Sequence, residues 1–138
     1  MQVKSVWKST NDKGLAMAEA GDAPITSVYH ANAIVKKAAR GETADLELYA
    51  ISVGDVAFIS VPCEMFCQSG MDIKAGSPFK MTFIMAIAND YRSYIPTETA
   101  FANGGYEPDV SWFLPGTAEE LADVYVGMLK ELKAESKN

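Results

Sequence analysis

Three side chains with reactive chemistry follow the end of one apolar run in this sequence. The run stops at Pro62, and Cys63, Glu64 and Cys67 come directly after it, in the stretch ISVPCEMFCQSG. In layered α/β folds, ligands gather at the carboxyl ends of strands. A carboxylate in that place can bind a metal, act as a general base, or accept hydrogen bonds from the free amides of a helix. The residue types favour helix capping for Glu64 and leave the other two roles open.

The two cysteines do not make a metal site by themselves. Cys63 and Cys67 are four residues apart, so on a helix they would share a face. A structural zinc site needs four ligands, and the sequence has no second pair of cysteines. We predict that they pack as small hydrophobic side chains; a redox or metal switch would require exposed thiols of lowered pKa. His30 is the single histidine, and we predict a structural role for it.

A second stretch with polar chemistry is NGGYEPD, residues 103–109. Its two glycines allow unusual backbone angles, and Tyr106, Glu107 and Asp109 follow them. The pattern predicts a turn with a tucked aromatic side chain. The stretch belongs to a long segment, residues 91–116, with proline and glycine throughout. The aromatic residues of this segment predict an ordered loop, and long ordered loops are usually functional.

The elements that must position these residues begin with a predicted hairpin. Strands are expected at 45–52 and 56–61 around Gly54-Asp55, because a two-residue loop with glycine first is typical of a tight primed turn. The second of these strands, VAFISV, is apolar on both faces, which predicts a central strand covered on both sides. A further apolar strand, expected at 80–88, is also predicted to be buried.

Three helices are predicted around these strands. The first begins at Thr26 or Ser27 and stops at Gly41. The second follows Pro62 and ends at Gly76. The third opens on a capping box, Thr117 with Glu120, and carries a continuous apolar stripe. Their expected ranges are 27–40, 64–75 and 117–134.

The size and composition predict one domain over residues 1–138. The fold class expected is α/β, with α+β possible: a layered domain whose mixed sheet of three to five strands is flanked by the three helices. The net charge of −6 argues against nucleic acid or an anionic membrane surface as a partner. No apolar run approaches the length of a transmembrane segment, and no signal peptide is recognised. As written, the chain is expected in the cytoplasm.

Residues 51–129 resemble the end of the catalytic domain of neutral/alkaline non-lysosomal ceramidases and their bacterial relatives. The matching pieces are ISVGDVAFISVPCE, AIANDYRSYIPT, GGYE and the final helix. The order is a Gly-Asp hairpin, a strand, a glutamate after proline, a helix, a strand ending in Asn, a Tyr-x-x-Tyr-like segment and a Tyr-Glu pair. The resemblance implies a zinc amidase that hydrolyses the N-acyl bond of a lipid amide, in which zinc activates a water molecule. Carried over, the family's zinc ligands fall on Glu64 and Tyr106.

Two departures from the family pattern shape the functional prediction. Cys63 stands where the family usually has glycine, and the family's two histidine ligands lie in upstream segments that this chain lacks; His30 lies in no matching motif. The resemblance therefore implies a fragment or small relative of a ceramidase-like zinc amidohydrolase, with weak metal binding and no activity as an isolated chain. If the chain belongs to a longer family member, that protein is expected to be secreted.

A non-enzymatic interaction or structural domain, which keeps the fold without a working metal site, is the alternative. If a missing half normally covers the sheet, the isolated chain would expose apolar surface. Because such patches usually pair, a homodimer is expected.

Overall fold

The computed structural model describes residues 2–4 and 43–136, and the chain divides into two compact units, Gln2–Ala44 and the unit from Asp45 onward. Strand β1 (Gln2–Lys4) pairs with β2 (Thr43–Asp45) in a two-stranded sheet. The predicted first helix and His30 lie outside the described residues. Both predicted zinc ligands, Glu64 and Tyr106, belong to the unit from Asp45 onward.

A mixed three-stranded sheet forms the centre of this unit. It contains β3 (Tyr49–Val53), β4 (Val56–Val61) and β6 (Met81–Ala86), in the order β3-β4-β6. β3 runs antiparallel to β4, whereas β6 runs parallel to it. The predicted hairpin is confirmed: Gly54, at the start of its two-residue loop, has a φ of 59°. The predicted mixed sheet and the central position of β4 are confirmed as well.

The connection from β4 to β6 contains a short strand and a helix, because two parallel neighbours need a crossover. Strand β5 is Glu64–Met65, and helix α1 is Cys67–Gly76. The prediction that the helix starts at residue 64 was wrong, and so was the helix-capping role of Glu64. The backbone N–H of Glu64 donates to the carbonyl of Ser93, 3.0 Å away, so this residue is committed to strand pairing.

The segment between β6 and the last helix is more regular than the predicted loop. It contains β7 (Tyr94–Ile95), α2 (Glu98–Asn103) and α3 (Tyr106–Val110). The hydroxyl of Thr97 caps α2 by accepting a hydrogen bond from the N–H of Ala100 at 3.2 Å. Tyr106 begins α3 and is 65% exposed, so the prediction of a tucked aromatic in a turn was wrong.

The last helix, α4 (Thr117–Glu135), packs against α1 and β3. Its predicted apolar stripe is largely confirmed, but the predicted capping box is not. Gly116 is the N-cap, in the left-handed conformation with a φ of 89°, which a residue with a side chain rarely adopts. Thr117 therefore lies inside the helix, where it is buried. The buried side chains of α4 are Thr117, Ala118, Leu121, Ala122, Tyr125 and Leu129.

Both long helices cover the same face of the three-stranded sheet. Ala57, Ile59 and Val61 of β4 point to that face and are fully buried. On the opposite face, Val56 and Phe58 of β4 are only half-buried, and Met81 and Phe83 of β6 are 52% and 45% exposed. The predictions that β4 is covered on both sides and that the strand near 80–88 is buried were therefore wrong. The apolar composition reflects β-propensity on this face rather than burial.

No helix of the described part of the chain is long and apolar enough to cross a membrane.

Two glycines in helices should respond in opposite ways to alanine. A Cβ on Gly76, at the end of α1, would lie 2.7 Å from a Val126 methyl group of α4, so Gly76→Ala should lower the free energy of unfolding by about 1–3 kcal/mol. A Cβ on Gly127 would meet nothing within 4 Å, so Gly127→Ala should raise it by about 0.5–1 kcal/mol. Urea denaturation measures both, and Gly76→Ala combined with Val126→Ala should recover part of the loss. Equal effects at the two sites would contradict the packing.

The buried hydroxyl of Tyr125 is expected to stabilise the fold. It donates a hydrogen bond to the carbonyl of Ser60 in β4. Tyr125→Phe leaves that buried carbonyl without this donor and should lower the free energy of unfolding by about 1–3 kcal/mol. The matched control is Tyr106→Phe, because that exposed hydroxyl should change stability by less than about 0.5 kcal/mol. Chemical denaturation of the two variants makes the comparison.

Candidate functional site

Glu64 lies where the carboxyl ends of two parallel strands meet. Val61 of β4 pairs with Ala86 of β6 at this end of the sheet, and the two chains continue side by side beyond it. The N–H of Ala88 donates to the carbonyl of Val61 at 3.1 Å, and the N–H of Arg92 donates to that of Pro62 at 2.8 Å. These bonds fix the segment after β6 against the segment after β4.

The pairing of two short strands then brings tyrosines to Glu64. β5 and β7 are parallel, with Glu64 opposite Tyr94. The hydroxyl of Tyr91 donates to Oε1 of Glu64 at 3.0 Å. Hydrogen bonding to the Glu64 carboxylate raises the pKa of Tyr91 and also that of Tyr94, because an ionised phenol would face a negative charge. One carboxylate therefore interacts by hydrogen bonding with two phenol groups, both of which stay neutral.

Two further aromatic rings extend this group. The ring of Tyr106 lies edge-to-face with that of Tyr94, with centroids 6.1 Å apart, and Trp112 lies in the same way against Tyr91 at 6.4 Å. Tyr106 is thus linked to Glu64 indirectly, because its ring contacts Tyr94, which lies opposite Glu64 in the strand pairing. We call these five residues, Glu64, Tyr91, Tyr94, Tyr106 and Trp112, the Glu64 cluster.

The backbone that carries the tyrosines contains unusual conformations. Ile87, Asn89 and Ser93 have positive φ angles of 55°, 71° and 70°, which are uncommon for residues other than glycine and concentrate at functional sites. Asp90 stabilises this segment through two contacts of its carboxylate. Its Oδ1 accepts a hydrogen bond from the N–H of Tyr91 at 2.7 Å, and its Oδ2 forms an ion pair with Nε of Arg92 at 2.5 Å. These contacts, the backbone bond first, lower the pKa of Asp90.

The cysteines have different environments and are free thiols. Cys63 is fully buried, and desolvation raises the pKa of its thiol to about 12. The predicted role of Cys63 as a small buried hydrophobic side chain is confirmed. Cys67 is exposed at the start of α1, so its predicted burial was wrong. A raised pKa at Cys63 is the opposite of what a thiol switch requires.

The residues of the Glu64 cluster fit a zinc centre only in part. Zinc in proteins is held by cysteine, histidine or carboxylate side chains, three of them at catalytic sites. In the described part of the chain, no group of three or more such residues is placed to hold a metal ion. Glu64 supplies one carboxylate, and the phenols supply further oxygen atoms. Any nitrogen ligand must come from elsewhere.

The family resemblance selected Glu64 and Tyr106 as candidate ligands, and it included the segment of Tyr91 and Tyr94 but gave these two tyrosines no role in the site. The signal for these two was present in the segment YRSY, where they are three residues apart. It could not be read without knowing that β7 pairs with β5, which is 30 positions earlier in the chain. The predicted ligand role of Tyr106 stays a prediction.

Comparison with solved structures shows a ceramidase-like fold. The neutral ceramidase from Pseudomonas aeruginosa aligns with 96% of this chain, with a TM-score of 0.61 and 18% sequence identity. A ceramidase complexed with C2 aligns with 62% of the chain, with a TM-score of 0.57 and 22% identity. The chain spans only 24% and 14% of the lengths of those two proteins. No family model and no curated protein sequence matches the chain.

The two thiols should differ in their rate of labelling under native conditions. At pH 8, Ellman's reagent should modify one of them rapidly, Cys67, whereas Cys63 should react only as the protein unfolds. Because Cys63 is fully buried, its labelling should be limited by the opening of the fold, and its rate should stay the same when the concentration of the reagent is raised. The Cys67→Ser variant should show no rapid phase, and two rapid thiols in the wild type would contradict this placement.

Proposed function

We propose that this chain is a part or small relative of a zinc-dependent amide hydrolase of the ceramidase type, and that it contributes the Glu64 cluster to the metal site. The observation that carries the proposal is the carboxylate of Glu64 at the carboxyl end of β4, hydrogen-bonded to Tyr91 at 3.0 Å and paired in register with Tyr94. The ceramidase-like fold supports it. By itself the chain is expected to be inactive, because the Glu64 cluster offers one conventional ligand.

Four residues of the Glu64 cluster have a role in this proposal. Glu64 offers a carboxylate oxygen to the metal, and the Tyr91 hydroxyl orients that carboxylate, as partners of metal ligands commonly do. Tyr94 and Tyr106 are the candidate sources of a second oxygen ligand. Tyr94 lies opposite Glu64 in the strand pairing, whereas Tyr106 is the residue that the family resemblance selects.

Zinc, when bound, would polarise an amide carbonyl and lower the pKa of a coordinated water. The chain itself would position the carboxylate and phenol oxygen atoms of the Glu64 cluster. The strained, hydrogen-bonded backbone after β6 fixes the tyrosines that carry the phenols. The substrate class implied by the resemblance is an N-acylated lipid amide. The nitrogen ligands would have to come from residues outside the described ranges or from another polypeptide.

A non-enzymatic domain with the same fold is the second candidate. It is favoured by the single carboxylate of the Glu64 cluster and by Cys63, which replaces the glycine of the family pattern. In that case zinc would not bind, and both Glu64→Ala and Tyr106→Phe would leave stability and folding nearly unchanged.

Zinc titration by calorimetry separates the two candidates. Zinc up to about 1 mM detects a site worth roughly 4 kcal/mol or more. We expect weak binding by the wild type and its loss in Glu64→Gln, which keeps the size of the side chain but removes its charge. Tyr94→Phe and Tyr106→Phe then show which phenol contributes, because only the ligand's loss should weaken binding.

The matched control is Glu131→Gln, since Glu131 is an exposed glutamate of α4. This variant should bind zinc like the wild type. If Glu64→Gln and Glu131→Gln bind zinc equally, the metal-site proposal fails and the non-enzymatic domain is preferred. A wild type that binds no zinc fits both a non-enzymatic domain and a partial site that needs the ligands of another polypeptide.

A further inference from the structure

The face of the three-stranded sheet opposite α1 and α4 is apolar and open. Side chains point to it from alternate positions of β3, β4 and β6, as the strand registers require. None of the outward positions carries a charge, and eight of nine are apolar or aromatic. We call this surface the open face. Its residues are Tyr49, Ile51, Val53, Val56, Phe58, Met81, Phe83 and Met85, together with the small Ser60, which these side chains bury.

The open face lies at the upper end of the range of apolar patches that isolated proteins show. Six of its large side chains are between 40% and 71% exposed, which for side chains of this size corresponds to about 600 Å² of apolar area. The largest patch of a typical monomer is about 300–600 Å², and larger ones mark interaction sites.

The middle of the open face is apolar and largely aromatic. Ile51, Phe58 and Phe83 form one row across the three strands. The rings of Phe58 and Phe83 are stacked, with centroids 5.2 Å apart and planes at 14°. Met81 and Met85 flank this row on β6, and methionine side chains adapt readily to an opposing surface. The surface can therefore pack against another apolar sheet face.

We propose that a second copy of this chain docks on the open face, so that two sheets pack face to face in a two-fold symmetric dimer. Both partners then present the same patch, which is the arrangement that a two-fold interface requires. Sheets packed in this way lie about 10 Å apart with interdigitated side chains. The proposal locates the expected homodimer and does not depend on the zinc site.

The buried area favours a second copy as the occupant, and the distribution of charge allows it. Two open faces together would bury about 1,200 Å² or more, which reaches the lower end of stable specific interfaces. Each chain carries a net charge of −6, yet the open face contributes none of it. Two like-charged copies can therefore meet there without burying repelling groups, which would be costly in an apolar interface.

Light scattering coupled to size exclusion, at about 100 μM protein, tests the proposal on the full chain. The wild type should have twice the 14.9 kDa mass of one chain. Met81→Glu should be monomeric, because the charge would be buried between the sheets. The matched control is Met71→Glu: Met71 lies on α1 and is 57% exposed, against 52% for Met81. This variant should remain dimeric.

Thermal unfolding provides a second measurement that a misfolded variant could not imitate. The wild-type Tm should rise with protein concentration, as it does for dimers, whereas the Tm of Met81→Glu should be independent of it. Ile51→Glu, on the opposite edge strand, should behave in the same way as Met81→Glu. Circular dichroism confirms that each variant is folded.

Three results would overturn the proposal. The first is a monomeric wild type at this concentration, which would mean that another polypeptide or no partner covers the face. The second is a dimer that persists in both open-face variants, since the contact would then lie elsewhere. The third is dissociation by Met71→Glu and Met81→Glu alike.

Discussion

The link between α4 and β4, made by one buried side chain, supports the rest of the described structure. Tyr125 carries the contact: its ring is buried, and its hydroxyl donates to the carbonyl of Ser60. Burial raises the pKa of this hydroxyl well above its usual value, so it remains a donor at any physiological pH. Since β4 pairs with both β3 and β6, a helix fixed on β4 fixes the sheet. The carboxyl end of β4, with Glu64 beyond it, is positioned by the same contact.

From that end of the sheet, backbone hydrogen bonds rather than side-chain packing build the Glu64 cluster. The segment after β6 is held to the carbonyls of Val61 and Pro62, and three residues with positive φ angles turn it so that its tyrosines face Glu64. Such backbone strain persists only where the surroundings over-determine it. Here the parallel β5–β7 pairing and the Asp90–Arg92 contact provide that constraint.

The chain has a ceramidase-like fold but spans only a small share of the ceramidase length. Two features of it are unusual, the Glu64 cluster and the open face. The Glu64 cluster has oxygen donors and a single conventional zinc ligand, and the sheet has helices on one face and exposed apolar side chains on the other. In our proposals, zinc with further ligands completes the Glu64 cluster, and a second copy of the chain covers the open face. They lie on different parts of the sheet, one at the carboxyl ends of its strands and one on its open face, so they can be tested separately.

The sequence by itself determined the local features: the Gly54-Asp55 hairpin, the central strand VAFISV, the end of α1 at Gly76 and the apolar stripe of α4. These follow from turn chemistry and hydrophobic periodicity within a few residues. Only the tertiary structure decided that Glu64 belongs to a strand, that Tyr91 and Tyr94 contact it, and that Gly116 rather than Thr117 caps α4. It also decided that one face of the sheet is open. Each of these depends on which distant segment pairs or packs with the residue. An apolar pattern indicates that a segment prefers a strand, but it does not indicate which part of the protein covers that strand.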